Sequence, residues 1–319
     1  MRAVVVDRYG GPEVATVADL PDPVPGPGEV LVRVAAASVG ASDGAFRSGT
    51  PWFARLASGL RRPRLRVLGS DFAGRVVAVG EGVDGFAVGD RIAGQTGVRM
   101  GGHAELIVVA ADGALTALPE AVSDAAAVAL CDGGLTALPF LRDAGRVRAG
   151  ERVLVIGASG AVGSHAVQLA RWLGAHVTAV TSTPNLELAA RLGAHETIDY
   201  RKRDVTAGPD RWDVVFDAVG ATDWRHARRI LTPSGRYLRT VPSLGIVVRT
   251  LLRSKRAVIA FTGLRPREAV RPDLAELVQL AADGVVAPLI DGCFPLEDAP
   301  AAYARVDSRR KRGTVVLAP

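Results

Sequence analysis

A glycine-rich turn from Gly157 to Gly163, set between an apolar run and a helical pattern, is the feature that most constrains this chain. Residues 153–156 are continuously apolar, as expected for a strand buried on both faces of a parallel sheet. Residues 164–173 have helical spacing. Glycines permit a tight turn and let the backbone approach a pyrophosphate, while the helix N-terminus offers unpaired N–H groups. The pattern predicts dinucleotide binding; the alternative is a glycine-rich turn without a ligand.

Two different patterns flank this turn. From residue 152 onward, apolar runs alternate with helical segments, which is typical of a doubly wound α/β sheet. Residues 1–118 instead read as short strands between turn signals, which favours a β-barrel or sandwich. Past Pro272 the spacing predicts one helix over residues 274–283 and a final strand over 314–317.

The segment after the second strand bears on the choice of coenzyme. In sites that prefer NAD, an acidic residue at this point binds the ribose 2′-hydroxyl. Here Thr181, Ser182 and Thr183 follow Val180, and no carboxylate is present. Hydroxyls can donate to a 2′-phosphate and Arg201 adds positive charge, so the expected coenzyme is NADPH. The alternative is that Ser182 and Thr183 merely cap the next helix.

Several spaced motifs resemble those of the medium-chain dehydrogenase/reductase superfamily, specifically its zinc-independent quinone oxidoreductase (zeta-crystallin-like) branch. They are GERVLVIGASGAVGSHAVQLA, LGSDFAGRVVAVGEGV with FAVGDRIAG, GLTAL, LGAHETIDY and the closing KRGTVVL. The resemblance implies an α/β protein with a GroES-like β-barrel catalytic domain (1–122 and 285–319) and an inserted doubly wound Rossmann domain (123–284). Relatives are often dimers, so a homodimer is expected.

The resemblance and the glycine motif together give a set of expected coenzyme contacts. These residues are Thr136, Gly157, Ser159, Gly160, Ala161, Val162, Gly163, Ser182, Tyr200, Arg201, Ala218, Val219, Phe261 and Thr262. Phe261 and Thr262 are expected near the nicotinamide ring. Expected substrate-side residues are Ser42, Asp43, Phe46 and Trp52, with Asp43 read more readily as a structural loop carboxylate. No residue is predicted as the proton donor.

The positions that hold zinc in the alcohol dehydrogenases of this superfamily carry other residues here. The matching stretches are Gly40-Ala41-Ser42-Asp43 and Gly69-Ser70-Asp71, and the five histidines show no paired metal spacing. Cys131 and Cys293 cannot form the four-cysteine structural-zinc lobe. No metal is therefore expected. The chain also departs from the quinone-reductase branch, which usually carries Asn-Pro at Gly40-Ala41 and in some members a tyrosine at Ala45.

Without a metal to polarise an oxygen, the expected reaction is NADPH-dependent reduction of a quinone or an α,β-unsaturated carbonyl. Alternatives are a zinc-less, NADP-dependent alcohol dehydrogenase-like protein and a non-enzymatic dinucleotide- or RNA-binding protein. Arginines at 55, 61, 62, 64 and 66, and a second basic run over 249–256, read as solvated surface or as contacts to a substrate carried on coenzyme A or a phosphopantetheine arm.

Composition sets broader expectations. The net charge of +6 goes with only three lysines, which we interpret as compositional bias rather than as a nucleic-acid-binding signature. No uncharged apolar run approaches the ~18 residues that span a bilayer. We therefore expect a cytoplasmic enzyme with reduced thiols and with neither nucleic-acid nor membrane partners.

Overall fold

The computed structural model describes residues 1–52, 54–242, 245–246, 250, 256–259 and 265–319. The strands are β1 (Arg2–Val6), β2 (Ala15–Asp19), β3 (Glu29–Val39), β4 (Asp71–Val79), β5 (Arg91–Gln95), β6 (Leu106–Ala110), β7 (Ala114–Ala117), β8 (Arg152–Ile156), β9 (His176–Thr181), β10 (Glu196–Asp199), β11 (Trp212–Asp217), β12 (Leu231–Arg239), β13 (Ala257–Val258), β14 (Ile290–Pro295) and β15 (Thr314–Ala318). The helices are α1 (Ala41–Ser48), α2 (Ala54–Ser58), α3 (Asp124–Ala129), α4 (Leu135–Pro139), α5 (Ala161–Trp172), α6 (Leu186–Arg191), α7 (Trp224–Ala227), α8 (Arg267–Ala282) and α9 (Ala299–Asp307).

The chain divides into two compact units. The first consists of Met1–Asp132, Gly263–Ala282 and Pro288–Pro319, and the second of Gly133–Thr262 with Asp283–Ala287. These bounds differ from the expected 1–122, 123–284 and 285–319, chiefly because α8 packs on β7 and so belongs with the first unit.

The first unit is built on a seven-stranded sheet in the order β14-β15-β3-β4-β5-β7, with β6 paired to β3. All pairings within it are antiparallel except that of β14 with β15. Alternating residues of β3, such as Val30, Val32 and Val34, point into one apolar core with Phe72 and Ile92. This alternation is the period-2 pattern that the sequence shows.

The second unit contains a parallel sheet in the order β10-β9-β8-β11-β12-β13. Its central strand β8 is buried from Val153 to Ile156, because helices cover both faces of such a sheet. This order confirms the predicted doubly wound topology. The change of direction from β8 to β9 on one side and β11 on the other places the glycine-rich turn at the switch point, where ligands of this fold class bind.

Helix α8 begins earlier than the sequence predicts. The helix predicted over 274–283 begins at Arg267, so that boundary was wrong; Pro272 lies inside α8, which buries Leu274, Leu277 and Val278. Burial of this apolar face outweighs the hydrogen bond that proline removes.

The helical stretch Asp124–Ala144 is long and apolar enough to cross a membrane, but 72% of its most apolar window is buried inside the protein, as in a core helix.

Candidate functional site

The glycine-rich turn connects β8 to α5. Its three glycines, Gly157, Gly160 and Gly163, have different roles. Gly157 has φ +83°, and a Cβ there would lie 2.5 Å from Cγ1 of Val219. A Cβ on Gly163 would lie 2.1 Å from the carbonyl oxygen of Gly157. A Cβ on Gly160, by contrast, would meet only one atom within 4 Å, the Gly157 oxygen at 3.6 Å. The first and third glycines therefore allow tight packing, whereas the middle one leaves open space above the turn.

Helix α5 begins at this turn with its N-terminal end available to an anion. Gly160 provides no side-chain cap, and the first helical turn contains no acidic residue. The first-turn N–H groups of a helix have no partner inside the helix, and they carry the positive end of its dipole. The open space at Gly160 and these N–H groups together fit a diphosphate. The expected contacts Ala161 and Val162 lie at this end.

Ser159 links the turn to the end of β9. Its Oγ accepts hydrogen bonds from Oγ1 of Thr181 at 2.9 Å and from Nδ2 of Asn185 at 3.1 Å. The same Asn185 amide lies 3.3 Å from Oγ of Ser182. Ser159 and Ser182, which the sequence analysis expected to contact the coenzyme, are therefore brought together. Ser182 precedes a single 3₁₀ turn but does not cap it with its side chain.

A carboxylate that the sequence analysis did not consider lies beside them. Asp199 ends β10 opposite Thr181, and its Oδ2 accepts a 2.6 Å hydrogen bond from the hydroxyl of Thr183. This bond, aided by the backbone N–H of Arg201 at 3.0 Å, lowers the pKa of Asp199. Thr183 is therefore committed to Asp199, while Ser182 is not. An Asp before the expected contacts Tyr200 and Arg201 was the available sequence signal.

The segment after Asp199 is positively charged. The side chain of Tyr200 is largely exposed, and Arg201 and Lys202 that follow it are exposed as well. Arg203 is ion-paired with Asp210. Among the described residues Arg201 forms no ion pair, although its charge and that of Lys202 help to lower the pKa of Asp199. The arrangement leaves one unpaired guanidinium and one ammonium group in the loop that follows β10.

The expected contacts Ala218 and Val219 follow β11 in a loop that Asp217 organises. This buried carboxylate accepts hydrogen bonds from the backbone N–H groups of Val219 (3.2 Å), Gly220 (2.8 Å), Ala221 (3.0 Å) and Thr222 (2.9 Å). The hydroxyl of Tyr237 donates to it at 3.1 Å. Burial beside Asp217 raises the pKa of Tyr237, so this hydroxyl keeps its proton. Val219 also packs against the turn at Gly157.

The remaining expected coenzyme contacts fall in two places. Thr136 is half-buried in α4 of the second unit. Phe261 and Thr262 lie outside the described residues. So do Arg249, Arg253 and Lys255 of the second basic run.

In the first unit, the four expected substrate-side residues differ in their exposure. Asp43 is buried in α1, where its carboxylate accepts from the backbone N–H of Gly40 at 2.8 Å and of Gly69 at 3.0 Å. Burial raises its pKa. Phe46 packs against an apolar core, whereas Ser42 and Trp52 are exposed. Asp43 thus joins the two loops that matched the zinc-ligand positions.

Asp71, at the start of β4, is a second buried carboxylate of the first unit. Burial, together with repulsion from Asp132, raises its pKa to about 7. Its Oδ2 accepts from Ser38 Oγ at 2.7 Å, and its Oδ1 from Ser70 Oγ at 3.1 Å and Gln95 Nε2 at 3.0 Å. At neutral pH this carboxyl therefore retains a proton part of the time. From the sequence, Asp71 was expected only to occupy a position without a zinc ligand.

Gln95 also lines a cavity of about 290 Å³ in the first unit. Its wall is formed by β5 and the turn after it, by β6 and β7, and by residues around the start of α8, namely Gln95, Thr96, Gly97, Arg99, Met100, Val108, Val109, Ala110, Gly113, Ala114, Leu115, Arg265, Arg267 and Val270. Two of its arginines are paired, Arg265 with Asp273 and Arg267 with Asp112. The volume is at the lower end for a small-molecule pocket, and the lining is largely apolar.

The described residues do not fit a metal ion. In this part of the chain, no group of three or more His, Cys, Asp or Glu side chains could hold one. Both oxygens of Asp43 and both oxygens of Asp71 already accept hydrogen bonds. Cys131 is buried, and burial raises the pKa of its thiol, which disfavours the thiolate that zinc requires.

Two family models match parts of this chain. Residues 26–120 match the family model "Alcohol dehydrogenase GroES-like domain", and residues 192–317 match "Zinc-binding dehydrogenase". The first match confirms the expected GroES-like fold. The name of the second refers to a metal for which the described residues offer no ligand set.

Among similar proteins, a quinone oxidoreductase from Pseudomonas aeruginosa is 35% identical over 98% of this chain and 97% of its own length. A trans-enoyl reductase (pgmF) from Aspergillus terreus is 32% identical over 92% of this chain and 86% of its own. The solved structure of the quinone oxidoreductase from Coxiella burnetii superposes with a TM-score of 0.88 at 28% identity, covering 100% of this chain and 99% of that one.

Proposed function

Because the chain belongs to the quinone oxidoreductase branch of the medium-chain dehydrogenase/reductase superfamily, we propose that it is an NADPH-dependent, metal-free reductase. Its acceptor would be a quinone or an alkene conjugated to a carbonyl group. The observation that carries the proposal is the turn at Gly160, whose open space and uncapped helix fit a dinucleotide diphosphate. Oxidoreductases of this family use nicotinamide dinucleotide coenzymes.

The preference for NADPH over NADH is supported by the charges around the end of β9. Ser182 has an uncommitted hydroxyl hydrogen, and Arg201 forms no ion pair among the described residues. A guanidinium and a hydroxyl suit a 2′-phosphate. Asp199 argues the other way, since a carboxylate repels phosphate. Its hydrogen bonds to Thr183 and to the N–H of Arg201 lower its pKa and keep it charged, so the proposed preference for NADPH rests on Ser182 and Arg201.

NADPH, when bound, would supply a hydride to the acceptor. The turn at Gly160 and the loop after Asp217 would hold the coenzyme, and the Asp217 carboxylate would keep that loop rigid through its four backbone hydrogen bonds. After hydride transfer, the reduced product needs a proton. At neutral pH the Asp71 carboxyl group holds a proton for part of the time. Ser70, which is only half-buried, can pass this proton outward.

The cavity beside Gln95 is the proposed acceptor pocket. Its apolar lining suits a quinone ring or an alkene, and Gln95 connects it to Asp71. Arg99, which has no acidic partner among the described residues, lies at its wall and would attract an anionic tail. The proposal therefore includes acceptors carried on coenzyme A. Separately, we propose that the protein is a homodimer.

The proposal is tested by measuring oxidation of NADPH and NADH with quinones, enones, 2-enoyl-CoA esters and simple aldehydes. We expect turnover of NADPH with a quinone or an activated alkene, unchanged by a chelator. Loss of activity after chelation, together with stoichiometric zinc in the purified protein, would overturn the metal-free mechanism. Tight coenzyme binding with no turnover of any acceptor would favour the non-enzymatic alternative, whereas aldehyde turnover alone would favour the alcohol dehydrogenase-like one.

A further inference from the structure

Three large apolar side chains in the first unit are unusually exposed. The exposed fractions of Trp52, Leu56 and Leu60 are 71%, 66% and 68%. They fall within nine residues of chain, and α2 lies among them. Single exposed apolar residues are common, but a local concentration of large ones marks an interaction surface. We refer to these three residues with Arg61, Arg62 and Arg64 as the 52–64 surface.

Contacts with Tyr9 attach the segment that bears this surface to the first unit. The hydroxyl of Tyr9 lies 2.8 Å from Oγ of Ser58 and also donates to the carbonyl of Gly59. The guanidinium of Arg55 lies over the Tyr9 ring, 4.7 Å from its centre. Ser58 and Gly59 are buried, whereas Leu56 and Leu60 on either side of them are exposed. The contacts of Tyr9 therefore fix the chain at Ser58 and Gly59, while Leu56 and Leu60 remain exposed.

The basic residues of the neighbourhood divide into two groups. Arg47 is buried against Asp307 at 2.5 Å, and Arg66 is paired with Asp7 at 2.5 Å. Arg61, Arg62 and Arg64 are exposed, and none has an acidic partner among the described residues. From residue 44 to residue 80 the only acidic residue is Asp71, which is buried. The 52–64 surface thus combines three unpaired cations with three exposed apolar side chains.

We infer that the 52–64 surface docks the protein onto an anionic lipid bilayer. Exposed Trp and Leu beside a cluster of arginines is the combination by which a peripheral segment inserts into the headgroup region while its cations contact anionic lipids. An acidic carrier protein would match the charge but would leave Trp52, Leu56 and Leu60 without a stated role. The sequence analysis expected no membrane partner, because the apolar stretch is short. The exposure of Trp52, Leu56 and Leu60 is evident only from the tertiary structure.

The size of the effect follows from the number of groups. Each cation near an anionic bilayer surface strengthens partitioning about fivefold at moderate ionic strength, so three contribute on the order of 100-fold. The leucines add affinity that is insensitive to salt, since burial of apolar area is not screened. Binding to anionic vesicles should therefore weaken steeply with salt without disappearing, and vesicles of zwitterionic lipid should bind weakly.

The test is sedimentation of the full chain with vesicles of phosphatidylglycerol and phosphatidylcholine, compared with phosphatidylcholine alone. Variants are Leu56→Ser/Leu60→Ser and Arg61→Gln/Arg62→Gln/Arg64→Gln. The matched control, Arg225→Gln/Arg228→Gln/Arg229→Gln, removes the same charge from exposed positions in the second unit. We expect a loss of at least tenfold in partition coefficient for both test variants and a less than threefold change for the control. NADPH turnover with a water-soluble quinone should be unchanged in all three.

Three outcomes would overturn the inference. Equal losses in the test and control arginine variants would show that net charge alone causes binding. Absence of vesicle binding combined with retention on an acidic carrier protein would assign the surface to that partner. Conversion from dimer to monomer in the leucine variant, without vesicle binding, would assign it to a subunit contact. Because vesicle binding is measured without turnover, this test stands or fails separately from the proposed reductase activity.

Discussion

The side-chain amide of Gln95 donates a 3.0 Å hydrogen bond to Oδ1 of Asp71, and so connects the wall of the 290 Å³ cavity to a buried carboxyl group whose pKa is about 7. Neither residue belongs to the glycine motif or to the expected substrate-side set. Their pairing follows from the antiparallel register of β4 and β5, which places Asp71 opposite Gln95. It provides the unit with a carboxyl group that holds a proton near neutral pH.

Asp71 should make stability depend on pH. Its pKa rises from 3.8 to about 7 on folding, so between these values the folded protein holds a proton that the unfolded chain has released. The free energy of unfolding should fall as pH rises through this window, by up to about 4 kcal/mol, and be flat above it. Asp71→Asn should remove the contribution of Asp71 and leave that of Asp43, whose pKa burial also raises. Urea unfolding at pH 5 and pH 8 measures it, with the exposed Asp84→Asn as control; parallel slopes in wild type and Asp71→Asn would contradict the assignment.

The same carboxyl should shape the pH profile of turnover. If Asp71 stores the product's proton, kcat should decline as pH rises above about 7, because the protonated fraction decreases. Asp71→Asn should lower kcat by about 10- to 100-fold, flatten the profile and leave KM for NADPH within about threefold. Gln95→Leu should shift the profile without abolishing turnover. A profile that keeps its shape in Asp71→Asn would place the proton source elsewhere.

Gly160 and Gly163 should respond differently to the same substitution. Gly160→Ala fits the backbone and meets no atom closer than 3.6 Å, so melting temperature should stay within about 2 °C of wild type while KM for NADPH rises at least tenfold. Gly163→Ala places Cβ 2.1 Å from the Gly157 oxygen and should destabilise the fold by about 1–3 kcal/mol. Thermal melts with coenzyme titrations separate the two effects. Unchanged coenzyme affinity in Gly160→Ala would remove the diphosphate from this turn.

Arg201 should distinguish the two coenzymes. Loss of a charge-assisted contact to a 2′-phosphate costs about 1.5–3 kcal/mol, so Arg201→Ala should raise KM for NADPH by about 10- to 100-fold and leave that for NADH nearly unchanged. Arg203→Ala is the matched control, because Arg203 is already paired with Asp210. Asp199→Asn should improve NADPH relative to NADH. An equal response of both coenzymes to Arg201→Ala would indicate that no 2′-phosphate is bound there.

Asp217 should be far more important than its partner hydroxyl. Asp217→Asn replaces an acceptor of four backbone N–H groups with one that repels some of them, and should destabilise the second unit by about 3 kcal/mol or more. Tyr237→Phe removes one hydrogen bond to the same carboxylate and should cost about 1–2 kcal/mol. Urea unfolding gives both values. A larger loss in Tyr237→Phe than in Asp217→Asn would contradict this account of the loop.

The parts of the fold that the sequence predicted correctly are those set by local patterns. Strand β8 contains a continuous apolar run, β9 and β11 are rich in β-branched and apolar residues, and the turn between β8 and α5 needs glycine at positions where a Cβ would clash. Helix α8 was placed too late because Pro272 is a local stop signal that tertiary burial overrides. Strand β14 has no comparable signal, since Gly292 and Cys293 lie in it and its pairing with β15 is a long-range contact.

By itself, therefore, the sequence determined the doubly wound sheet, the dinucleotide turn and the family, because glycine geometry and apolar periodicity act over a few neighbouring residues. Only the tertiary structure decided which polar groups lie together. Asp71 with Gln95, Asp199 with Thr183 and Asp217 with its loop are groups joined by hydrogen bonds. It also decided which arginines of the 52–64 surface are left unpaired. Charge and burial depend on neighbours distant in the chain, and the local pattern of residues does not contain that information.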